Sequence, residues 1–274
     1  MDRKAAPIVK WAGGKRQLLN ELLARVPADF NTYHEFFLGG AALFFELYNQ
    51  DRITHAILSD INPGLINLYK VVQKKPDELI DELKNRKYVS NKDAFYQIRA
   101  SEPSEKVEKA ARFLYLNRTA FNGLYRENAS GKFNVPFCHS TKPQILDEEG
   151  ILAASQAFSK VTFLCGDFDV VLDCAEKNDF AYFDPPYYPL NDTSNFNAYN
   201  SKCFSMHDQW RLKCTFDVLT DRGVKVLLSN SHTNFINGLF SDNNVAPVYA
   251  KRMINCKAEN RGPIREVLVM SQYV

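Results

Sequence analysis

Apolar and polar positions follow two different rhythms along the chain. Up to about residue 70, and again from about residue 155, short apolar runs are separated by stretches with helical spacing, as expected of strands and helices taken in turn. The runs predict strands at 33–37, 55–59, 161–165, 180–183, 224–229 and 267–274. Apolar strands alternating with helices predict an α/β fold built on a Rossmann-like, mostly parallel twisted sheet. The first four runs lead into turns rich in Gly, Asp or Asn. Ligands of open α/β sheets bind in such turns, beyond the carboxyl ends of the strands.

Residues 71–154 break this rhythm. Helical spacing there predicts helices at 78–83 and 105–117, with Pro103-Ser104 ahead of the second. Residues 123–126 and 132–135 flank Ala129-Ser130-Gly131, a short turn that predicts a β-hairpin. The segment 71–154 is therefore expected to be an inserted, mainly helical domain carrying a hairpin, with 1–70 and 155–274 forming the main domain. Charge singles out the same stretch. The 274 residues carry a formal net charge of only +2, yet residues 84–143 hold twelve Lys and Arg against five Asp and Glu. Such a local excess suits a polyanion such as nucleic acid, although a solvated helical face accounts for it equally well.

Composition narrows the class. The chain is 45% hydrophobic and 24% charged, as ordinary globular proteins are. No run approaches the roughly 18 apolar residues of a membrane span, and the first residues lack a signal-peptide pattern. A cytoplasmic protein is expected. Six cysteines without a Cys-x-x-Cys pair and five histidines without ligand spacing give no metal site and no disulfide framework.

The sharpest chemical signal is Asp184-Pro185-Pro186-Tyr187, directly after the apolar run Phe180-Ala181-Tyr182-Phe183. A carboxylate and a backbone carbonyl stiffened by consecutive prolines form a pair of hydrogen-bond acceptors. Such a pair can hold an exocyclic amine of a nucleobase and direct its lone pair at an electrophile. Tyr187 offers a face on which an extruded base can stack. A punctuating turn alone explains this combination poorly.

A second signal lies near the start, in Lys10-Trp11-Ala12-Gly13-Gly14-Lys15 and Phe36-Phe37-Leu38-Gly39-Gly40-Ala41-Ala42. The turn at Phe37 and Gly39 would let a cofactor approach the backbone. Asp60, about twenty residues on, stands where an acid accepts hydrogen bonds from ribose hydroxyls. Neither a full Gly-x-Gly-x-x-Gly nor a phosphate-cradling Gly-x-x-x-x-Gly-Lys-Ser/Thr is present, which favours a nucleoside cofactor without phosphates. Asp167 could bind that cofactor's adenine amine with Phe168 against its ring. A polar turn beside a core Phe is nearly as good an account.

Third, Asn117-Arg118-Thr119-Ala120-Phe121-Asn122-Gly123-Leu124-Tyr125-Arg126 and Phe133-Asn134-Val135-Pro136 interleave aromatic, Asn and Arg residues on the expected hairpin. Arg can donate twice to guanine, Asn can reach adenine or a phosphate, and an aromatic ring can fill the gap left by an extruded base. Hairpins also carry such residues for packing. The loop from Asn195 to Tyr199 could close over a flipped base, or be an ordinary surface loop.

Taken together, these segments resemble the Dam-type DNA adenine-N6 methyltransferases over nearly the whole chain, from Val9 to Tyr273. The resemblance implies a methyltransferase fold and S-adenosyl-L-methionine as cofactor, contacted at Trp11, Lys15, Asp60 and the edge of Asp184. It implies that Lys10 and Arg126 read a guanine, that Leu124 packs beside a thymine methyl, and that Asn122 and Phe121 sit near the opened pair. Phe37, Gly39, Asp167 and Phe168 join the expected cofactor set; Pro136 and Tyr199 join the DNA set. The implied partner is double-stranded DNA at GATC, bound by a monomer. Whether a cognate restriction endonuclease acts separately beside it stays open. The chain departs from the family at Phe36, where proline is usual, at Ala41, where glycine is usual, and at Cys138-His139-Ser140, where Gly-Arg-Tyr is common. Two rival readings remain at this point: a DNA-binding homologue with impaired catalysis, and a cytosine-N4 methyltransferase.

Overall fold

Residues 3–128, 130–139, 143–190, 204–251 and 263–273 are described by the computed structural model. The expected closing loop with Tyr199, the turn residue Ala129, and Ser140 lie outside them. Along the chain run α1 (Leu19–Leu23), β1 (Thr32–Glu35), α2 (Ala42–Asn49), β2 (His55–Asp60), α3 (Pro63–Lys74) and α4 (Pro76–Leu83). Next come α5 (Lys92–Ala100), α6 (Lys106–Thr119), α7 (Glu148–Ala157), β3 (Val161–Cys165) and β4 (Phe180–Phe183). The series ends with α8 (Met206–Asp221), β5 (Lys225–Ser231), α9 (Asn234–Leu239), β6 (Asn244–Lys251) and β7 (Pro263–Met270). These elements group into two compact units. The first comprises Met1–Gly14, Gly39–Arg52 and Asp60–Cys165; the second comprises Lys15–Leu38, Ile53–Ser59 and Gly166–Val274.

In the second unit the strands lie in the order β2-β1-β4-β5-β7-β6. β1 runs parallel to β2 and β4, and β4 parallel to β5. Only β7 reverses, pairing antiparallel with both β5 and β6. The mostly parallel α/β sheet read from the sequence is therefore present. Its central strands carry apolar side chains on both faces because both are covered; all four residues of β4 are buried. Tyr33 and Phe180 pack at 5.6 Å in this core. Helix α8 starts at a capping box, with Ser205 and Asp208 satisfying each other's backbone N–H groups.

Strand β6 was not expected from the sequence. Pro247 sits in its middle, and a proline normally argues against a strand. The conflict disappears because β6 is the last strand of the sheet, where one missing N–H is tolerated. Pairing with β6 also shifts β7 to Pro263–Met270, four residues ahead of its expected start at Val267.

The first unit is mainly helical. Asn62 caps α3 by accepting from the Gly64 and Leu65 N–H groups, with Pro63 at the first helical position. α6 is buried along most of its length, from Ala110 to Thr119. β3 packs on α3 through Tyr69 and Phe163, stacked at 5.8 Å, and Gln73 donates to the Val161 carbonyl. Where a β-hairpin was expected, the chain folds back antiparallel through isolated bridges, Glu127 to Phe133 and Ala120 to Phe137, instead of two regular strands. Asn122 and Gly123 both adopt left-handed backbone, which interrupts the first arm. Among the described residues, no helix is long and apolar enough to cross a membrane.

Candidate active site

The apolar strand β4 ends at Phe183, so Asp184 emerges at its carboxyl end. Its Oδ1 receives Lys15 Nζ at 2.7 Å and the Ser229 hydroxyl at 2.8 Å. Ser229 Oγ also lies 3.0 Å from the Tyr182 hydroxyl. The carboxylate only accepts, so Ser229's single hydrogen goes to Asp184 and Tyr182 donates to Ser229. Burial, followed by the charge of Asp184, holds the Tyr182 hydroxyl far above its ordinary pKa, which keeps it a donor. Both contacts fall on Oδ1. The other oxygen, Oδ2, makes no hydrogen bond among the described residues.

Asn230 and Gln209 hold the diproline corner. Gln209 donates to the Pro186 carbonyl at 3.2 Å and accepts from Asn230 at 3.0 Å. The Tyr188 N–H donates to Asn230 at 3.2 Å, and Ser231 donates to the Tyr188 carbonyl at 2.7 Å. Beneath the corner, the Tyr187 hydroxyl donates to Glu266 Oε2 at 2.7 Å. Lys15 Nζ lies 4.7 Å from the centroid of the Tyr187 ring.

Phe37 stacks on Phe168 at 5.5 Å, and Phe204 meets both rings edge-on or tilted. Asp167 is already engaged. One oxygen accepts the Phe168 N–H and the other accepts Arg211 at 2.9 Å. Arg211 also binds Asp169 and lies over the Phe168 ring. A ligand amine at Asp167 would therefore share the carboxylate with Arg211.

In the first unit, Asp60 terminates β2 and is 8% exposed. The Gly39 N–H donates to one oxygen at 3.0 Å and the Asn62 N–H to the other at 2.9 Å. Burial raises this carboxyl's pKa above its usual range, while the N–H groups of Gly39, Asn62 and Ile61 pull it down. Ile61, next in the chain, is 74% exposed. Gly39 has φ +45°, and a Cβ there would stand 2.5 Å from Trp11 Cδ1, so only glycine fits. Tyr69 fixes the same turn by donating to the Gly39 carbonyl. Trp11 stacks on Tyr125 at 5.8 Å, and Tyr125 on Phe113 at 4.5 Å.

Phe121, Asn122, Leu124, Arg126 and Pro136 are all exposed on the bridged segment. The Phe121 N–H donates to the Pro136 carbonyl, and Arg126 Nε donates to Asn134 at 2.7 Å. Lys10 is exposed too, and its aliphatic stem packs on Gly123. Asn117, fully buried, accepts from the Lys10 N–H and donates to the carbonyls of Lys10 and Gly123. Part of the basic excess has an internal task. Arg118 donates to the Ile8 carbonyl and Arg112 to the carbonyls of Ile98 and Arg99.

Sequence reasoning missed Ser229, Asn230, Gln209 and Glu266, and it read Asn117 as part of the DNA-facing segment, not as a buried clamp. A signal existed for the first two: Ser229-Asn230-Ser231 is a polar run at the carboxyl end of an apolar parallel strand. Among the described residues, no cluster of His, Cys, Asp and Glu could hold a metal ion.

The model of the D12 class N6 adenine-specific DNA methyltransferases matches residues 11–254. The chain is similar to the Type II methyltransferase M.MjaIII of Methanocaldococcus jannaschii, 39% identical over 97% of this chain and 98% of that protein. It is also 39% identical to the Type II methyltransferase M1.LlaDCHI of Lactococcus lactis subsp. cremoris, over 96% of this chain and 94% of that one. A DNA adenine methylase of Serratia marcescens is 34% identical over 98% of this chain and 99% of its own length.

Proposed function

Because the chain belongs to the D12 class of N6 adenine-specific DNA methyltransferases, we propose that it uses S-adenosyl-L-methionine to methylate the adenine of GATC in double-stranded DNA, reaching that adenine by base flipping. Family membership sets aside the cytosine-N4 alternative.

The residues fit such a cofactor. Asp60, its carboxylate anchored by two backbone N–H groups, keeps lone pairs for ribose hydroxyls. Exposed Ile61 offers an apolar surface to a purine. Trp11, Lys15, Phe37, Gly39, Asp167 and Phe168 complete the proposed cofactor set. When bound, the cofactor supplies an electrophilic methyl group on a sulfonium.

The chain's own residues do the rest. Oδ2 of Asp184, which accepts no hydrogen bond seen among the described residues, takes one N6 hydrogen of the adenine. The Pro185 carbonyl, which accepts no hydrogen bond among the described residues, takes the other. Both acceptors draw the N6 lone pair out of the ring and aim it, and holding the reacting atoms in line contributes further. Tyr187 stacks on the base. The nitrogen becomes acidic once it is cationic, so its proton leaves without a strong base.

DNA meets the segment 71–154 through Phe121, Asn122, Leu124, Arg126 and Pro136, with Lys10 and, from outside the described residues, Tyr199. With Nε held by Asn134, the terminal nitrogens of Arg126 remain for a guanine. The enzyme acts in the cytoplasm as a monomer on DNA, with any cognate restriction endonuclease acting separately. The observation that carries this reading is the Asp184 corner, where Lys15 and Ser229 hold the carboxylate through Oδ1 at the carboxyl end of β4. The test is transfer of labelled methyl groups from the cofactor to duplexes with and without GATC, followed by nucleoside analysis. Methyl-adenine confined to GATC duplexes, and formed far more slowly with Asp184→Ala, supports it; equal labelling of both duplexes overturns the site assignment.

A further inference from the structure

Strand β7 brings one acid to the catalytic corner. Glu266 pairs in register with Ser231 on β5 and Val248 on β6, so its backbone is fixed from both sides. The next four positions, Val267 to Met270, are buried and apolar. An acid at the head of such a run is out of pattern, and no neighbour on β7 shares its chemistry. Among the described residues, its side-chain hydrogen bond is the 2.7 Å contact from the Tyr187 hydroxyl. On the ring face stands the Lys15 ammonium, itself bound to Asp184. Tyr187 is thus held at its tip by one strand and on its face by a cation.

We propose that Glu266 is a positioning residue for methyl transfer: by accepting the Tyr187 hydroxyl it fixes the tilt of the ring on which the target base stacks. This rests on the reading of Tyr187 as the stacking platform. The requirement is an acceptor at this place, not a charge. Burial favours the neutral carboxyl of Glu266, with the Tyr187 hydroxyl and the Lys15 charge opposing. A tyrosine without its anchor would sample several ring tilts, and misplacement on the ångström scale costs about 10²-fold in a positioned reaction.

The experiment measures single-turnover methylation of duplex DNA and cofactor affinity for the wild type and five variants of the full chain. Glu266→Leu should lose about tenfold or more in rate with cofactor affinity little changed, as partial misplacement implies. Glu266→Gln, whose amide oxygen still accepts, should restore most of the rate. Tyr187→Phe should match Glu266→Leu, and the double variant should lose no more than either one, because both break the same bond. Additive losses, or a Glu266→Gln rate as low as that of Glu266→Leu, would overturn the proposal. Should Glu266→Leu fold poorly, Tyr187→Phe probes the bond without touching β7. Tyr187→Ala separates the two readings. A wild-type rate there removes the stacking role itself, whereas a large loss beside an unaffected Tyr187→Phe removes only the role of Glu266.

Discussion

Ala41 adopts φ 58°, ψ 37° immediately before α2, a left-handed conformation that a side chain resists. Its cost is about 1–2 kcal/mol. Replacing it with glycine removes the strain but raises the entropy of the unfolded chain by roughly 0.4–1 kcal/mol. Ala41→Gly should therefore stabilise the protein by about 0.5–1 kcal/mol in denaturant titration. A loss of stability would mean that the methyl group packs usefully. At Asp184 the expectation concerns rate. Asp184→Ala removes one acceptor of the target amine and should lower the turnover number about 10²–10³-fold, with DNA affinity retained. The aspartate was legible from its motif. Its serine partner was not, and Lys15, though expected at the site, was not seen as its ion-pair partner, because both contacts come from distant positions, 229 and 15.

Elements reveal a different kind of dependence. Asn117, near the end of α6, joins the Lys10 turn to the Gly123 turn through three hydrogen bonds. Asn117→Ala leaves buried backbone groups unpaired, and each such group costs about 1–3 kcal/mol. A lowered melting temperature together with weaker DNA binding is expected; weaker binding alone would show that the clamp is not structural. Arg126, on the bridged segment, should behave in the opposite way. Arg126→Ala should leave the melting temperature unchanged and cost about 1–3 kcal/mol of discrimination at one guanine in competition binding. At this scale the sequence pointed to the antiparallel fold-back around Gly131, which forms through isolated bridges. What it did not show is that the left-handed pair Asn122-Gly123 keeps the first arm from running as a regular strand.

Over the whole molecule, acid should find weak points in both units. In the second, burial works against ionisation of Asp179, but His34, fully buried, and the N–H groups of Glu176 and Thr32 outweigh it and hold its pKa below the usual value. In the first, Asp147 is lowered in the same sense: burial opposes, while Arg3 and the Gly150 N–H prevail. A carboxylate depressed by folding contributes stability above its unfolded pKa and loses it as pH falls through the folded value. Stability should therefore drop below about pH 4. Asp179→Asn should flatten that drop in melts between about pH 3 and 6, and an unchanged profile would assign acid unfolding to other groups. The basic segment is also smaller in effect than its composition suggests. Arg112 and Arg118 are spent on buried carbonyls, so the salt dependence of DNA binding should be shallower than twelve cations would give.

The sequence by itself determined the alternation of strands and helices, the apolar strand before Asp184, and the acid of Asp60, because these depend on period and on residues adjacent in the chain. Tertiary structure alone decided that Pro247 could lie in a strand, that Asp167 is shared with Arg211, and that Glu266 meets Tyr187. Each of those turns on which strand is an edge or on which distant side chain arrives. Local patterning carries no record of either.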